Sequence, residues 1–192
     1  MERGMKVVVK SAWMPIAWLF ALSIVLGGCV GPKIAADLLG KVEPNQNPIC
    51  SCSYEIAATI DPRINNYEGI DGSVRESLDI ALTEAKLFAP DSAIKYKIKA
   101  DILVASEAAW SFGSFNGKLS IRYTVLNPSG QELLSTEIYT EAGSDKMIFL
   151  GAARHQRARA VNISKNVLQF VERLRTSGVL TKMQERMTRT LR

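Results

Sequence analysis

The sequence is poor in the side chains that enzymes most often use for catalysis and metal binding. Its 192 residues include one histidine, His155, and three cysteines. No G-x-S-x-G, H-E-x-x-H, Gly-rich phosphate loop or C-x-x-C motif occurs. No nucleophile can be paired with a base, and a C-x-C without a nearby histidine supplies two of the four ligands that zinc needs. We therefore expect no enzyme, no metal site and no cofactor; an enzyme with an unfamiliar site is the alternative.

The sequence also lacks an apolar run long enough to span a membrane near its start. Residues 11–26 are uncharged but number only 16, whereas crossing ~30 Å of hydrocarbon takes about 20 apolar residues. The run contains Pro15 and follows a basic stretch, which is typical of a secretory signal peptide. Met1 and Met5 are both possible starts. An uncleaved membrane helix and a plain secreted protein are the alternatives.

The apolar run ends in Leu26-Gly27-Gly28-Cys29, which resembles the lipobox of bacterial lipoproteins. Gly27 stands where alanine or serine is more usual. The resemblance implies that the Cys29 thiol takes a diacylglycerol thioether and that cleavage leaves Cys29 as the acylated first residue. Acyl chains such as palmitate, at about 0.8 kcal/mol per buried CH₂, make a lasting anchor. Val30 in place of aspartate favours the outer membrane, by resemblance to enterobacterial sorting, with the body in the periplasm.

Two cysteines remain once Cys29 is lipidated, and they form the stretch Cys50-Ser51-Cys52. Exported thiols tend to oxidise. In an extended chain the two side chains share a face, near the upper limit of disulfide reach. We predict a local disulfide between Cys50 and Cys52 at the start of the first strand, which requires a kink or bulge there.

The net charge of +5 conceals an acidic body and a basic end. Residues 29–153 contain 11 basic and 16 acidic side chains, whereas residues 154–192 contain 10 basic and 2 acidic ones. This asymmetry indicates an anionic partner. With an export signal we expect an envelope ligand, lipopolysaccharide or peptidoglycan, and no nucleic acid. Arg154, Arg157 and Arg159 are the candidate anion-binding residues, because cations near a helix start oppose the macrodipole. If the helix begins nearer Ser144, they form a solvated mid-helix face instead.

Hydrophobic periodicity predicts an α+β domain with the element order β-α-β-β-β-α. Alternating apolar residues predict four strands, over residues 54–60, 96–104, 119–125 and 133–140. In the second strand this alternation places Val104 on the inward face. Three- and four-residue spacings predict one helix from a Ser73–Glu76 capping box to Ala89 and another along residues 160–174. The simplest fold is a two-layer sandwich, with two helices on one face of a four-stranded sheet.

The connection between the second and third strands holds three aromatic residues, Trp110, Phe112 and Phe115. Gly113-Ser114 suits a two-residue hairpin turn. That turn fixes a register with the pairs Phe112–Phe115, Trp110–Gly117, Ile102–Val125 and Val104–Tyr123. A hairpin tip with these aromatics is a candidate contact site for a partner or a membrane. The alternative is that it folds back on the apolar residues 147–150.

The chain divides into four predicted segments: a signal peptide (1–28), a lipidated N-terminus and tether (29–48), the α+β domain (49–178) and a basic amphipathic tail (179–192). The tether is rich in proline and includes a helical turn around residues 35–39. In the tail, Met183, Met187 and Leu191 form an apolar stripe after a Thr181–Gln184 capping box. This tail lies on anionic lipid, docks on the body, or frays.

A lipobox, a short tether and this element order resemble small outer-membrane lipoproteins of the YajG type. They also resemble LptE, the lipoprotein subunit of the lipopolysaccharide-assembly translocon. The resemblance implies a cell-envelope scaffold, or an assembly or transport accessory subunit, that binds an outer-membrane protein without catalysis. A binding module for an anionic envelope ligand and an enzyme with an unrecognised site are the alternatives.

Overall fold

A computed structural model describes residues 34–64, 69–107, 117–144 and 151–190. Over these ranges the chain forms four strands and four helices. In chain order they are α1 (Ala36–Leu39), β1 (Ser53–Ile60), α2 (Ile70–Ala85), β2 (Lys95–Glu107), β3 (Gly117–Leu126), β4 (Glu132–Ala142), α3 (Gly151–Thr176) and α4 (Val179–Thr190).

The strands form one sheet in the order β1-β2-β3-β4. β1 runs parallel to β2 because α2 connects them as a crossover, and the other two pairs are antiparallel. α2 and α3 pack on each other and on one face of this sheet. The predicted α+β fold, with two helices on one face of a four-stranded sheet, is confirmed.

The core lies between the sheet and the helices, as the two periodicities require. Tyr123 of β3 stacks on Phe170 of α3 with ring centroids 4.1 Å apart. The helical residues that fill this layer recur at three- and four-residue steps; they are Val74, Leu78, Ala81, Leu82, Ala85, Ile163, Val167, Phe170 and Leu174.

The start of α2 differs from the predicted capping box. The helix begins at Ile70, after Gly69 with φ 75°. Ser73 lies inside the first turn, and its hydroxyl donates to the carbonyl of Gly69 at 3.0 Å. Such back-bonding to residue i−4 competes with capping. The helix ends at Ala85, because Lys86 adopts a left-handed conformation with φ 49°.

Up to Ile102, the register of β2 and β3 differs from the prediction by four residues; beyond it, where Val104 pairs with Ser120, the difference is three. Ile102 pairs with Ile121, and Val125 pairs with Ile98 rather than with Ile102. A slip of four residues keeps the side chains before Leu103 on their predicted faces. The alternation of apolar residues therefore could not distinguish the two registers.

The N-terminal segment expected to be a tether packs on the domain from Ile34, the first described residue. Ala35 and Leu39 are fully buried, and α1 contacts α2 and α3. Further along, the backbone N–H and side-chain Nδ2 of Asn45 both donate to the carbonyl of Ala85, at 3.1 and 2.9 Å.

The basic tail docks on the body, one of the three predicted alternatives. α4 begins at Val179, two residues before the predicted capping box. Met183 and Met187 of the predicted apolar stripe are buried, together with Leu180, and Leu191 lies outside the described residues. Gln184 accepts a hydrogen bond from the backbone N–H of Ser51 at 2.7 Å, instead of serving a capping box. Across the described ranges, no helix has the length and apolarity needed to cross a membrane.

Candidate functional site

The sheet face opposite α2 and α3, here called the outer face, displays side chains in rows fixed by the strand register. Charged and polar residues make up most of these rows. From one end of the sheet to the other, the rows are Glu55–Lys97–Leu126, Ala57–Lys99–Thr124–Ser135, Thr59–Asp101–Arg122–Glu137, Val104–Ser120–Tyr139 and Ser106–Lys118–Glu141.

The charges on the outer face largely balance one another. Lys97 Nζ lies 3.5 Å from Glu55 Oε1, and Arg122 Nη2 lies 3.7 Å from Glu137 Oε2. Ser120 donates to the same Glu137 carboxylate at 2.6 Å. Exposed ion pairs of this kind add little to stability. Their effect is that the outer face has no patch of one sign, so it does not suit a polyanion.

One row of the outer face is apolar at both ends, and we call it the apolar row: Val104, Ser120 and Tyr139. Val104 is 41% exposed and Tyr139 is 55% exposed, and they are the exposed large hydrophobic residues of the described ranges. Both flank the buried Ser120. The apolar row lies near the end of the sheet where β2 ends and β3 begins, so it is close to the start of the connection that carries the predicted aromatic tip.

A β-bulge places Val104 on the outer face, which corrects the predicted inward orientation. The pairing with β3 shifts between Ile102 and Val104, so Leu103 is an extra residue in β2. Ile102 is buried, while after the bulge Ala105 packs against the core and Val104 faces outward. One inserted residue reverses the alternation of faces. The sequence signal was the unbroken apolar run 102–105, in which Leu103 occupies an expected polar position.

The predicted contact residues Trp110, Phe112 and Phe115 lie outside the described residues. So do Cys29, the predicted lipidation site, and residues 147–150, the alternative packing surface for the tip.

The three candidate anion-binding arginines lie in the first three turns of α3, which begins at Gly151. The guanidinium of Arg157 forms a bidentate pair with Asp37 of α1, with Nη1–Oδ1 2.8 Å and Nη2–Oδ2 2.9 Å. Arg154 and Arg159 make contacts of their own. For Arg157, therefore, the anion is a carboxylate of the same chain.

The structure joins Cys50 and Cys52 in a disulfide, with an S–S distance of 2.08 Å. Both residues are fully buried. The bridge lies beneath α4, where Met187 Sδ is 3.9 Å from Cys50 Sγ. Nowhere in the described ranges do histidine, cysteine and acidic side chains gather into a group that could hold a metal ion.

A groove of about 570 Å³ runs between β1 and α2, and sequence reasoning did not find it. The Tyr54 hydroxyl at one wall donates to Asp79 Oδ1 at 2.9 Å and lies 3.1 Å from Thr83 Oγ1. Burial, above all, raises the pKa of Tyr54 to about 12, so its hydroxyl remains a neutral hydrogen-bond donor. The lining residues are Tyr54, Ile56, Gly69, Gly72, Arg75, Glu76 and Asp79.

These features define a two-layer α+β protein with one sheet face that the described helices do not cover. No protein-family model matches the chain. No curated protein matches it either.

Solved structures share its fold. Protein XCC0632 from Xanthomonas campestris, of family DUF330, superposes with a TM-score of 0.55 at 14% identity, over 82% of this chain and 98% of that one. The hypothetical protein CT253 from Chlamydia trachomatis gives 0.50 at 9% identity, over 68% and 98%. A minor lipoprotein from Acinetobacter baumannii gives 0.41 at 8% identity, over 64% and 90%. What the chain shares with the first two of these proteins is the fold.

Proposed function

We propose that this protein is a lipid-anchored, non-catalytic scaffold on the periplasmic side of the bacterial outer membrane. Its outer face binds a membrane-protein partner of the cell envelope. The observation that carries the proposal is the apolar row, in which exposed Val104 and Tyr139 lie among rows of balanced charges. An apolar centre surrounded by polar residues is the usual composition of a protein contact site.

The aromatic connection between β2 and β3 extends the same contact. Glu107 pairs with Gly117 at the end of the sheet, and residues 108–116 join them. A stable interface buries about 800 Å² on each partner, more than Val104 and Tyr139 supply. We therefore assign Trp110, Phe112 and Phe115 to this contact together with the apolar row.

The anchor is the lipobox cysteine, Cys29. Because the domain is packed from Ile34 onward, the body is joined to Cys29 by the five residues 29–33. Five residues span at most about 18 Å. α1 packs on the helices, on the side of the sheet away from the outer face. This short link keeps the body close to the membrane, and the attachment point does not compete with a partner on the outer face.

An anionic envelope ligand such as lipopolysaccharide is the second candidate, supported by the basic composition of residues 154–192. It has less support than the scaffold role. Arg157 already binds a carboxylate of its own chain, and the balanced charges of the outer face do not attract a polyanion. A lipopolysaccharide-export role like that of LptE is one version of the scaffold proposal.

A pull-down from detergent-solubilised envelopes tests the scaffold role. The lipidated wild type is compared with Val104→Lys/Tyr139→Lys and with Trp110→Ser/Phe112→Ser/Phe115→Ser. The matched control is Ala57→Lys/Ser135→Lys, which adds the same charge elsewhere on the outer face. We expect wild type and control to capture one stoichiometric membrane protein and both test variants to lose it. Equal capture by all four proteins would show that the assigned residues are not the contact site. If wild type captures no protein, the scaffold role is wrong.

A further inference from the structure

β1 is an edge strand whose backbone has one side directed away from the sheet. In the described ranges β1 pairs with β2 alone. Its hydrogen bonds to β2 begin with Ser53 N–H to Ile94 O at 2.9 Å and end with Asp61 N–H to Ile102 O at 3.1 Å. In a parallel pair the bonded residues alternate. The odd-numbered residues of β1 therefore bond to β2, and Tyr54, Ile56, Ala58 and Ile60 direct their N–H and C=O groups outward.

The same four residues leave apolar surface incompletely covered. Tyr54, Ile56, Ala58 and Ile60 are all half-buried. Their lateral neighbours in β2 are at most 4% exposed; these are Tyr96, Ile98, Ala100 and Ile102. The helix α2 therefore covers β1 less completely than it covers β2, and the groove between β1 and α2 lies along this exposed edge.

We infer that this edge and groove bind an extended segment of another protein, which adds to the sheet as a fifth strand beside β1. The outward backbone groups of β1 supply the main-chain hydrogen bonds, and the groove accepts alternate side chains of the segment. This surface is separate from the outer-face contact proposed above.

The charges around the groove select a basic segment with alternating apolar residues. Glu76 and Asp79 outweigh Arg75 on the α2 wall. On the outer face of β1 the only charged side chain is Glu55, which is exposed and lies 3.5 Å from Lys97 of β2, so most of the negative charge at this edge belongs to Glu76 and Asp79. Apolar side chains of the added strand would enter the groove beside Ile56. Its basic side chains would then face outward, level with Glu55.

The same charges argue against a second copy of this chain as the occupant. Pairing of β1 with β1 would bring two acidic groove walls together. The other edge strand, β4, carries Glu132, Glu137 and Glu141 and no basic residue. Like charges on neighbouring strands are unfavourable, so neither edge of a second copy complements this site.

Amide hydrogen exchange by NMR on the full mature chain in detergent micelles tests the inference. The probe is an eight-residue acetylated and amidated peptide of alternating lysine and valine. We expect it to slow exchange at Ile56 and Ala58 by at least about tenfold and to leave Glu55 and Ala57 unchanged. A peptide with glutamate in place of lysine should give little protection. Exchange that the lysine peptide does not slow at Ile56 and Ala58 overturns the inference.

Two variants connect the protection to the edge and the groove. Ala58→Pro removes one outward N–H, which an edge strand tolerates, and Ala58→Val is its matched control. Gly72→Arg, at a position where an added Cβ meets nothing within 4 Å, puts a positive charge on the groove wall. Peptide protection should disappear in Ala58→Pro and Gly72→Arg and persist in Ala58→Val. If the outward amides instead become protected as the protein concentration rises without peptide, the occupant is a second copy and the inference is wrong.

Discussion

Arg157 and Asp37, 120 residues apart in sequence, form a bidentate ion pair with Nη1–Oδ1 2.8 Å and Nη2–Oδ2 2.9 Å. The pair ties α1 to the first turns of α3. Nearer the other end of α3, Arg175 Nη2 donates to the carbonyl of Glu43 at 2.6 Å. Arginine suits both roles, because its planar fork of donors matches a carboxylate and reaches backbone oxygens. α3 therefore holds the N-terminal segment at two points.

Removal of the Asp37 carboxylate should measurably destabilise the domain. The Arg157 side chain is 13% exposed, so in Asp37→Ala a mostly desolvated guanidinium loses its bidentate contact with a carboxylate. We expect the free energy of unfolding to fall by about 1–3 kcal/mol, measured by urea denaturation. Arg157→Lys should lower the free energy of unfolding by a similar amount, because lysine cannot make the bidentate contact.

The matched control for this pair is Arg63→Ala, which breaks the Arg63–Asp61 pair. The Arg63 side chain is 89% exposed, and exposed pairs add little to stability, so we expect this variant to unfold close to wild type. Equal effects of Asp37→Ala and Arg63→Ala would show that the pair between α1 and α3 has no special role in stability.

Tyr123 and Asn166 form the centre of a buried hydrogen-bond network between β3, β4 and α3. The Tyr123 hydroxyl donates to Asn166 Oδ1 at 2.8 Å, and Asn166 Nδ2 donates to Ile138 O at 2.9 Å. Asn166→Leu keeps the volume but leaves these buried groups without partners, so we expect a loss of about 2–4 kcal/mol in urea denaturation. In a Tyr123→Phe background the same substitution should cost less, because one orphaned group is already gone. Additive losses would contradict the network.

The fold was predictable where one side of an element is apolar and the other polar. β2 before its bulge, β3 and α3 all show this pattern, and their inward residues were identified correctly. β4 was harder, because two of its buried residues are Thr136 and Thr140. Threonine suits a strand whether it faces inward or outward. Hydropathy alone therefore could not fix the inward face of β4.

The candidate sites were less predictable, because each depends on contacts between distant residues. The outward position of Val104 follows from a one-residue bulge set by pairing with β3. The packed N-terminal segment depends on Arg157 and Arg175, which follow it by more than a hundred residues. The groove beside β1 exists because α2 covers that strand incompletely. No local pattern encodes these relationships.

Tyr54 should make stability depend on pH in the alkaline range. Its pKa is raised to about 12 from the ordinary 10.0, chiefly by burial. A raised folded-state pKa means that the stabilising contribution is complete below pH 10 and is lost as pH rises towards 12. We expect the free energy of unfolding to fall over this window and to fall less steeply in Tyr54→Phe.

The control for this pH dependence is Tyr139→Phe, which removes an exposed phenol on the outer face. The phenol of Tyr123, whose pKa burial also raises, adds a loss of the same sign in every variant. The difference between wild type and Tyr54→Phe therefore isolates Tyr54. Identical slopes for wild type and Tyr54→Phe between pH 10 and 12 would exclude this contribution.

Substitution of Met183 distinguishes two roles for the apolar stripe of α4, packing on the body and binding to lipid. Met183 is 1% exposed, so Met183→Lys buries a charge and removes a packed side chain. We expect a loss of about 2–5 kcal/mol by urea denaturation, with Thr181→Lys, at an exposed position, close to wild type. If the stripe instead lies on lipid, Met183→Lys leaves stability unchanged and weakens binding to anionic vesicles. Docking on the body hides the stripe from lipid. In full-length protein that carries Cys29→Ala, and so lacks the predicted lipidation site, Met183→Lys should therefore leave vesicle binding unchanged in a sedimentation assay.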